Sequence, residues 1–177
     1  MSAQTDALTP AQVAPLLRAA MDGIRAEVSA APLAALRWRP APREWCVLEV
    51  IGHLIEAEQR GFAGRIRQIL ERPGLALSAW DQEAVAAARR DHEREPSGLL
   101  DDLAALRASA IDLVSALGTS DLAKDGAHPS VGRLRVADLL HEWVHHDRNH
   151  FRQMLANLQG SVWPHMGNAR RFSEPAG

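Results

Sequence analysis

The chain has 177 residues, with 20 basic and 22 acidic side chains, a formal net charge of −2 and a pI of about 6.4. That length suits a single domain, 1–177, with a real core, and the balanced charge gives no basic field for nucleic acid or an anionic membrane surface. Cys46 is the only cysteine, no apolar run approaches the ~18 residues of a membrane helix, and the opening MSAQTDALTPAQ lacks signal-peptide character, so the expectation is a cytoplasmic protein with no nucleic-acid and no membrane partner.

Beta-branched residues are sparse, tyrosine is absent, and alanine, leucine, arginine and glutamate dominate, a mix that favours helix. No strand-like alternation of useful length and no internal repeat is visible. Thr9-Pro10 predicts the start of a first helix, a capping residue followed by proline at the first helical position. Val13, Leu16, Leu17, Met21 and Ile24 give it an apolar stripe that fades near Ala30 to Pro32. Pro40 and Pro42 then keep LRWRPAPREW extended or turned.

A second helix is predicted from about Glu44 to Glu71, ending at Pro73-Gly74, with Val47, Ile51, Leu54, Ile55, Phe62, Ile66 and Ile69 on one face. His53 lies beside that stripe, among Val50, Ala57, Gly61 and Gly64, small residues that permit close approach. Glu58 falls inside the stripe and reads as an amphipathic edge or as the buried partner of an arginine. A short helix follows from Asp81 to about Arg90, and the charged run RRDHEREP reads as a solvated connection. Ser97 opens a third long helix, carrying Leu99, Leu100, Leu103, Leu106, Ile111, Val114 and Leu117 towards the core and stopping at Gly118.

Thr119 to Arg135 holds Gly126, Pro129 and Gly132 and is too broken for a helix. The last helix spans about Val136 to Gln159 and is ended by Gly160; the tail from Ser161 to Gly177 has no helical period, although Trp163, Met166 and Phe172 suggest that it packs. Four long helices with one extended connection predict an all-α four-helix bundle, core about 10–159, with a long crossover connection, a short extra helix and an irregular tail at 160–177.

The last helix carries four of the eight histidines, in two i, i+4 pairs: His141 with His145, and His146 with His150. That spacing puts two imidazoles one turn apart on a single face. On a helical projection, Leu140, Val144, Phe151, Met154 and Leu158 define the buried face. His141 and His145 fall on the solvent side with Arg148 and Arg152, whereas His146 and His150 flank the apolar stripe. His53 lies at the same kind of edge on the second helix. Three neutral imidazoles from two helices, with positions left open, suit a catalytic divalent metal, and spacing alone does not choose between zinc, nickel and iron. Asp147 projects near the centre of the buried face, where a carboxylate is costly unless it orients a ligand imidazole or neutralises a buried arginine.

Two segments resemble the signatures of the DinB/YfiT-like family. PREWCVLEVIGHLIEAEQRGFAGRI has a tryptophan turn leading into a helix with histidine-leucine and a later glutamate. LRVADLLHEWVHHDRNHFRQML has H-x-x-x-H followed by glutamine, and DGAHPSVGRLRVADLL resembles the family's approach to that helix. The similarity spans roughly Trp38 to Leu158. It implies an up-down-down-up four-helix bundle, commonly a homodimer, holding one divalent metal per chain, most often nickel or zinc, with iron or manganese as alternatives. By motif the ligands are His53, His146 and His150. The extra histidines His141 and His145 leave another pairing open, and His128 in the linker is a further candidate.

Relatives include transferases and isomerases that use a low-molecular-weight thiol cosubstrate, and a metal-dependent hydrolase. The leading expectation is therefore a metal-dependent transferase or hydrolase acting on a small molecule. Glu56, close to His53 on the second helix, and Asp147 are the nearest candidates for a general base or a supporting carboxylate. A non-catalytic metal-binding stress-response or interaction module, with a closed site, is the alternative; a bundle without metal is the third reading.

Overall fold

Thr9 and Pro10 begin α1 (Pro10–Ala30) as their residue types dictate. Gln12 turns its side-chain oxygen back to the Thr9 N–H at 2.9 Å, and proline forfeits an N–H that has no helical acceptor in the first turn. The structure is a computed structural model that describes residues 6–173; residues 1–5 of the opening stretch and 174–177 of the tail lie outside the described residues.

A single turn, α2 (Leu33–Leu36), precedes the proline-rich crossover to α3 (Val47–Glu56). Glu49 in the first turn of α3 accepts from the Cys46 N–H at 3.0 Å and from Arg39 at 2.5 Å. One carboxylate thus caps the helix and pins the crossover to it.

The second helix, expected in one piece, is interrupted. After α3 the backbone widens into a π-helical turn, Ala57–Gly61, before α4 (Ala63–Glu71) resumes. The wider turn brings the Gln59 carbonyl oxygen to within 1.8 Å of where a Cβ on Gly64 would stand, so the turn needs glycine there. It also changes which residues align. In an α-helix, residues four apart drift by about 40° per step. The wider turn removes part of that drift, and His53, Ala57, Gly61 and Arg65 all reach the wall of one cavity.

Asp81 caps α5 (Gln82–Arg89), accepting from the Ala84 N–H at 3.0 Å, and Arg90 ends it in the left-handed region at φ 52°. The run RRDHEREP is not simply solvated. Asp91 is buried against α3, where Arg89 holds its carboxylate at 2.6 and 3.0 Å, and it occupies the space that a side chain on Gly52 would fill. Arg89 also reaches Glu56 at 2.8 Å, so the charged run fastens this segment to the helix that bears His53.

Helix α6 (Pro96–Ser115) is followed by a feature that the sequence pattern did not predict. Strands β1 (Asp125–His128) and β2 (Gly132–Arg135) pair antiparallel, with Gly132 at φ 76° closing the turn. The backbone near Ala76 lies along the other edge of β1: the Leu77 N–H donates to the Ala127 carbonyl at 2.8 Å, and the Ala127 N–H donates to the Leu75 carbonyl at 2.8 Å. Helix α7 (Val136–Val162) runs through Gly160 instead of stopping there. That glycine is a packing residue, because a Cβ on it would stand 2.6 Å from the Trp38 ring. The described part of the tail forms two 3-10 turns held by Arg170 on the Trp163 carbonyl; Phe172, expected to pack, is 94% exposed.

Helices α1 and α3 each pack against α6 and α7, which therefore face one another across the bundle. Apolar burial divides into two halves. One contains Leu17, Ile66, Val114 and Trp143; the other contains Ile24, Ile51, Leu103 and Met154. On the helices that cross this boundary, Glu58, Arg107 and Asp147 fall between the two halves and form a buried polar layer at mid-height.

Candidate metal centre

Three imidazoles converge beside that polar layer. His53 arrives from α3, while His146 and His150 arrive from successive turns of α7. The Nε2 atoms of His53 and His146 stand 3.0 Å apart, and one ring nitrogen from each of the three lies within 4.8 Å of the others. His53 is buried and the other two are half-buried. Among the described residues this is the one grouping of histidine, cysteine, aspartate or glutamate side chains close enough to share an ion. The three residues expected from helical projection and motif are thus brought together.

The surroundings keep the rings neutral. Burial is the main cause, pushing His53 down to about 4 and His146 to about 3; neighbouring histidines add to both shifts. Burial also lowers His150, opposed by its bond to Gln153 and by the charge of Asp147. Gln153 Oε1 lies 2.9 Å from His150 Nδ1. An amide oxygen only accepts, so Nδ1 carries the proton and Nε2 keeps its lone pair. His146 Nδ1 is buried with no hydrogen-bond partner. Three neutral imidazoles with converging ring nitrogens, one of them oriented by Gln153, fit a divalent cation of the zinc, nickel or iron type.

Aromatic rings frame the cluster. Trp45 and Trp80 lie 5.1 and 6.0 Å from the His53 ring, and Phe62 meets His146 edge-on at 5.0 Å. Phe62 in turn stacks on Trp143 at 5.2 Å, and Arg107 lies over the other ring of that pair, 5.7 Å from the Trp143 centroid. Arg107 grips Asp147 at 2.5 and 3.1 Å and Glu58 at 2.5 Å. Of the two roles open to Asp147, the observed one is neutralising a buried arginine, and Glu58 is likewise an arginine partner. Two carboxylates around one guanidinium leave the layer one negative charge in excess when both ionise. Burial, the largest influence, lifts Glu58 to about 7, with Asp147 raising it further and Arg107 opposing. Sequence reading missed Arg107, although it sits between Leu103 and Ala110 in the apolar row of α6, where a charge signals a buried partner.

Other candidates sit elsewhere. Glu56 is tied to Arg60 and Arg89 and serves to fasten α5. His145 is exposed, as its face predicts. His141 is not a solvated bystander: it is half-buried, its Nε2 accepts from the Leu8 N–H at 2.9 Å, and its Nδ1 donates to the Ala137 carbonyl at 2.7 Å. It docks the segment before α1. His128, delivered by the hairpin, is outside the three-histidine group but lines the cavity that adjoins it.

That cavity has a volume of about 690 Å³ and is walled by His53 and His146 on one side and by Arg65, Trp80, His128 and Glu142 elsewhere. The hairpin forms much of its rim through His128, Ser130, Val131 and Leu134. The cluster therefore opens onto a space of small-molecule size.

The model of the DinB superfamily matches residues 16–154. Among solved structures, the chain is similar to YfiT from Bacillus subtilis, described as a probable metal-dependent hydrolase with an unusual four-helix bundle topology. The two share 17% identity with a TM-score of 0.80, over 92% of this chain and 93% of that one, a likeness of fold. No curated protein matches the chain in sequence.

Proposed function

The chain belongs to the DinB superfamily, and we propose that it binds one divalent metal ion through His53, His146 and His150 and acts on a small molecule held in the adjoining cavity. One observation carries this reading: three neutral imidazoles converge, and two of them, His53 and His146, form part of the wall of a cavity of about 690 Å³. Three protein ligands with an open face are the arrangement of a catalytic site, whereas a structural site closes its fourth position with protein. The same opening weighs against a metal-binding module without catalysis.

The reaction proposed is hydrolysis, with thiol-dependent transfer as the variant in which a low-molecular-weight thiol replaces water. The hydrolytic reading draws on the description of YfiT. Bound at the three imidazoles, nickel, zinc or a similar ion supplies Lewis-acid polarisation and brings water or a thiol to its nucleophilic form near neutral pH. Any thiol comes from a cosubstrate, because Cys46 is fully buried in the core. Gln153 holds the His150 ring in its lone-pair orientation, and Trp45, Trp80 and Phe62 pack against the His53 and His146 rings. Glu56 and Asp147 are occupied by arginines, and Asp138 at the cavity wall is held by Arg135. Glu142 remains as the cavity group able to take a proton.

The connectivity supported by the core is up-down-down-up. Helices α1 and α7 run from the Leu17/Trp143 half to the Ile24/Met154 half; α3 with α4, and α6, run the other way.

The test is elemental analysis of the purified protein beside a His146→Ala/His150→Ala variant. About one divalent ion per chain is expected in the unaltered protein, lost in the variant. Metal content that the substitutions leave unchanged would overturn the site. Ester and amide hydrolysis, assayed with and without added thiol, then separates the two reactions.

A further inference from the structure

The cavity beside the histidines contains a cation with no counter-charge. Arg65 reaches it from α4, half-buried, and among the described residues no carboxylate lies within ion-pair distance of its guanidinium. Its Nε is buried without a hydrogen-bond partner. Its Nη2 donates to the Ser78 carbonyl at 3.2 Å and faces His128 Nε2 at 3.1 Å. His128 meets a second donor, the Ser130 N–H, 3.2 Å from Nδ1, and a neutral imidazole accepts at one nitrogen only. Arg65 therefore competes with a backbone amide for a single lone pair. Arg107 and Arg89 beside the site each have two carboxylate partners: Arg107 holds Glu58 and Asp147, and Arg89 holds Glu56 and Asp91.

Leaving a partly desolvated guanidinium without an anion is costly, and a planar fork of N–H donors matches an oxyanion better than any other partner. The π-helical turn sets Arg65 in the same cavity-facing row as His53, so cation and histidine cluster address one molecule from two parts of the wall. The remaining charges facing the cavity are Asp138, already paired with Arg135, and exposed Glu142 on α7.

We propose that Arg65, with His128 beside it, is the anion-binding end of the cavity and receives a carboxylate or phosphate group of the small molecule whose other end lies at His53, His146 and His150. The placement of that other end rests on the reading of the cavity as a substrate site. The substrate class is thus a small organic anion.

Calorimetric titration of full-length, chelator-treated protein with inorganic phosphate and with acetate tests this, because without metal neither probe has another cation at the cluster to bind. Millimolar binding to the unaltered protein is expected, weakened at least about tenfold in Arg65→Met and held between the two in Arg65→Lys, which keeps the charge and loses the fork. The tighter probe identifies the group, phosphate ester or carboxylate. Absence of binding to the unaltered protein, or equal affinity in Arg65→Met, overturns the proposal. Metal content, measured on the same preparations before chelation, separates the two ideas: Arg65→Met should retain its ion, and unaltered protein that holds none would sink the metal reading while the anion titration still stands.

Discussion

Arg107 of α6 reaches across the bundle and holds Asp147 of α7 by both carboxylate oxygens, at 2.5 and 3.1 Å, with all three groups of the layer, Glu58 included, no more than 2% exposed. The two helices lie on the diagonal, so a long side chain makes the link that backbone proximity does not. Removing the cation leaves two buried carboxyl groups without the donor they share. Arg107→Met should cost about 3–5 kcal/mol in urea denaturation of the metal-free protein. Adding Glu58→Gln and Asp147→Asn to it should recover much of that loss, because no buried charge is then left alone. A loss below about 1 kcal/mol for the single variant would show that the layer does not depend on this pairing.

The same layer shapes the response to pH. Glu58 titrates at about 7 in the fold against an ordinary 4.5, so the folded state holds that proton more tightly. Its contribution to stability is present at low pH and declines as pH rises from about 4.5 to 7. His53 and His146 are displaced the other way, to about 4 and about 3 from 6.5. For them the unfolded chain binds protons more tightly, and stability rises with pH up to about 6.5. The metal-free protein should therefore gain stability from pH 5 to 6.5, held back by Glu58. Glu58→Gln removes that opposition, and its stability should climb more steeply by about 1.4 kcal/mol per pH unit, the value of one proton. Urea midpoints at three pH values in this range measure the slope. Parallel slopes for the two proteins would mean that Glu58 is ionised throughout.

Gly64→Ala tests whether the π-helical turn is obligatory. The added methyl would meet the Gln59 carbonyl oxygen at 1.8 Å, a backbone atom that cannot swing aside as a side chain can. Either α4 shifts or the turn reverts to an α-helix, which would move Arg65 out of the row it shares with His53. A loss of at least about 2 kcal/mol in thermal or urea unfolding is expected, despite the usual helical advantage of alanine over glycine of about 1 kcal/mol. A stabilised variant would show that the turn is not present in solution.

How much of this was legible beforehand follows from what each feature depends on. The long helices and the choice of His146 and His150 over His141 and His145 rest on periodicity, which a sequence displays directly. The π-helical turn rests on the contact between Gly64 and the Gln59 carbonyl, a consequence of the shifted hydrogen bonding itself, and no periodic pattern announces it. Strands β1 and β2 are four residues each, too short for alternation to register, and their other edge is covered by residues near Ala76. Asp91 reads as solvated among its charged neighbours because its burial depends on the space left by Gly52, about forty residues earlier. Arg65 carries no local signal at all. Its meaning comes from the absence of an acidic partner in a cavity built by α4, α7 and the hairpin.

The contact between His150 and Gln153 makes the last prediction. Three residues apart on α7, they lie on neighbouring turns, and the amide oxygen accepts the Nδ1 proton at 2.9 Å. Without that acceptor the ring is free to rotate and to place its proton on either nitrogen, and each departure removes the lone pair from the cluster. Gln153→Leu should therefore weaken metal binding about 10–100-fold, measured by competition with a chromophoric chelator. Gln153→Glu keeps an acceptor at the same reach and should bind at least as tightly as the unaltered protein, since a carboxylate makes the imidazole more basic. Gln153 is only half-buried, so both substitutions should leave the unfolding midpoint of the metal-free protein nearly unchanged. That pairing of outcomes separates a residue that positions a ligand from one that merely packs. If Gln153→Leu binds metal as well as its parent, then helix packing alone orients His150, and the glutamine contributes nothing to the centre.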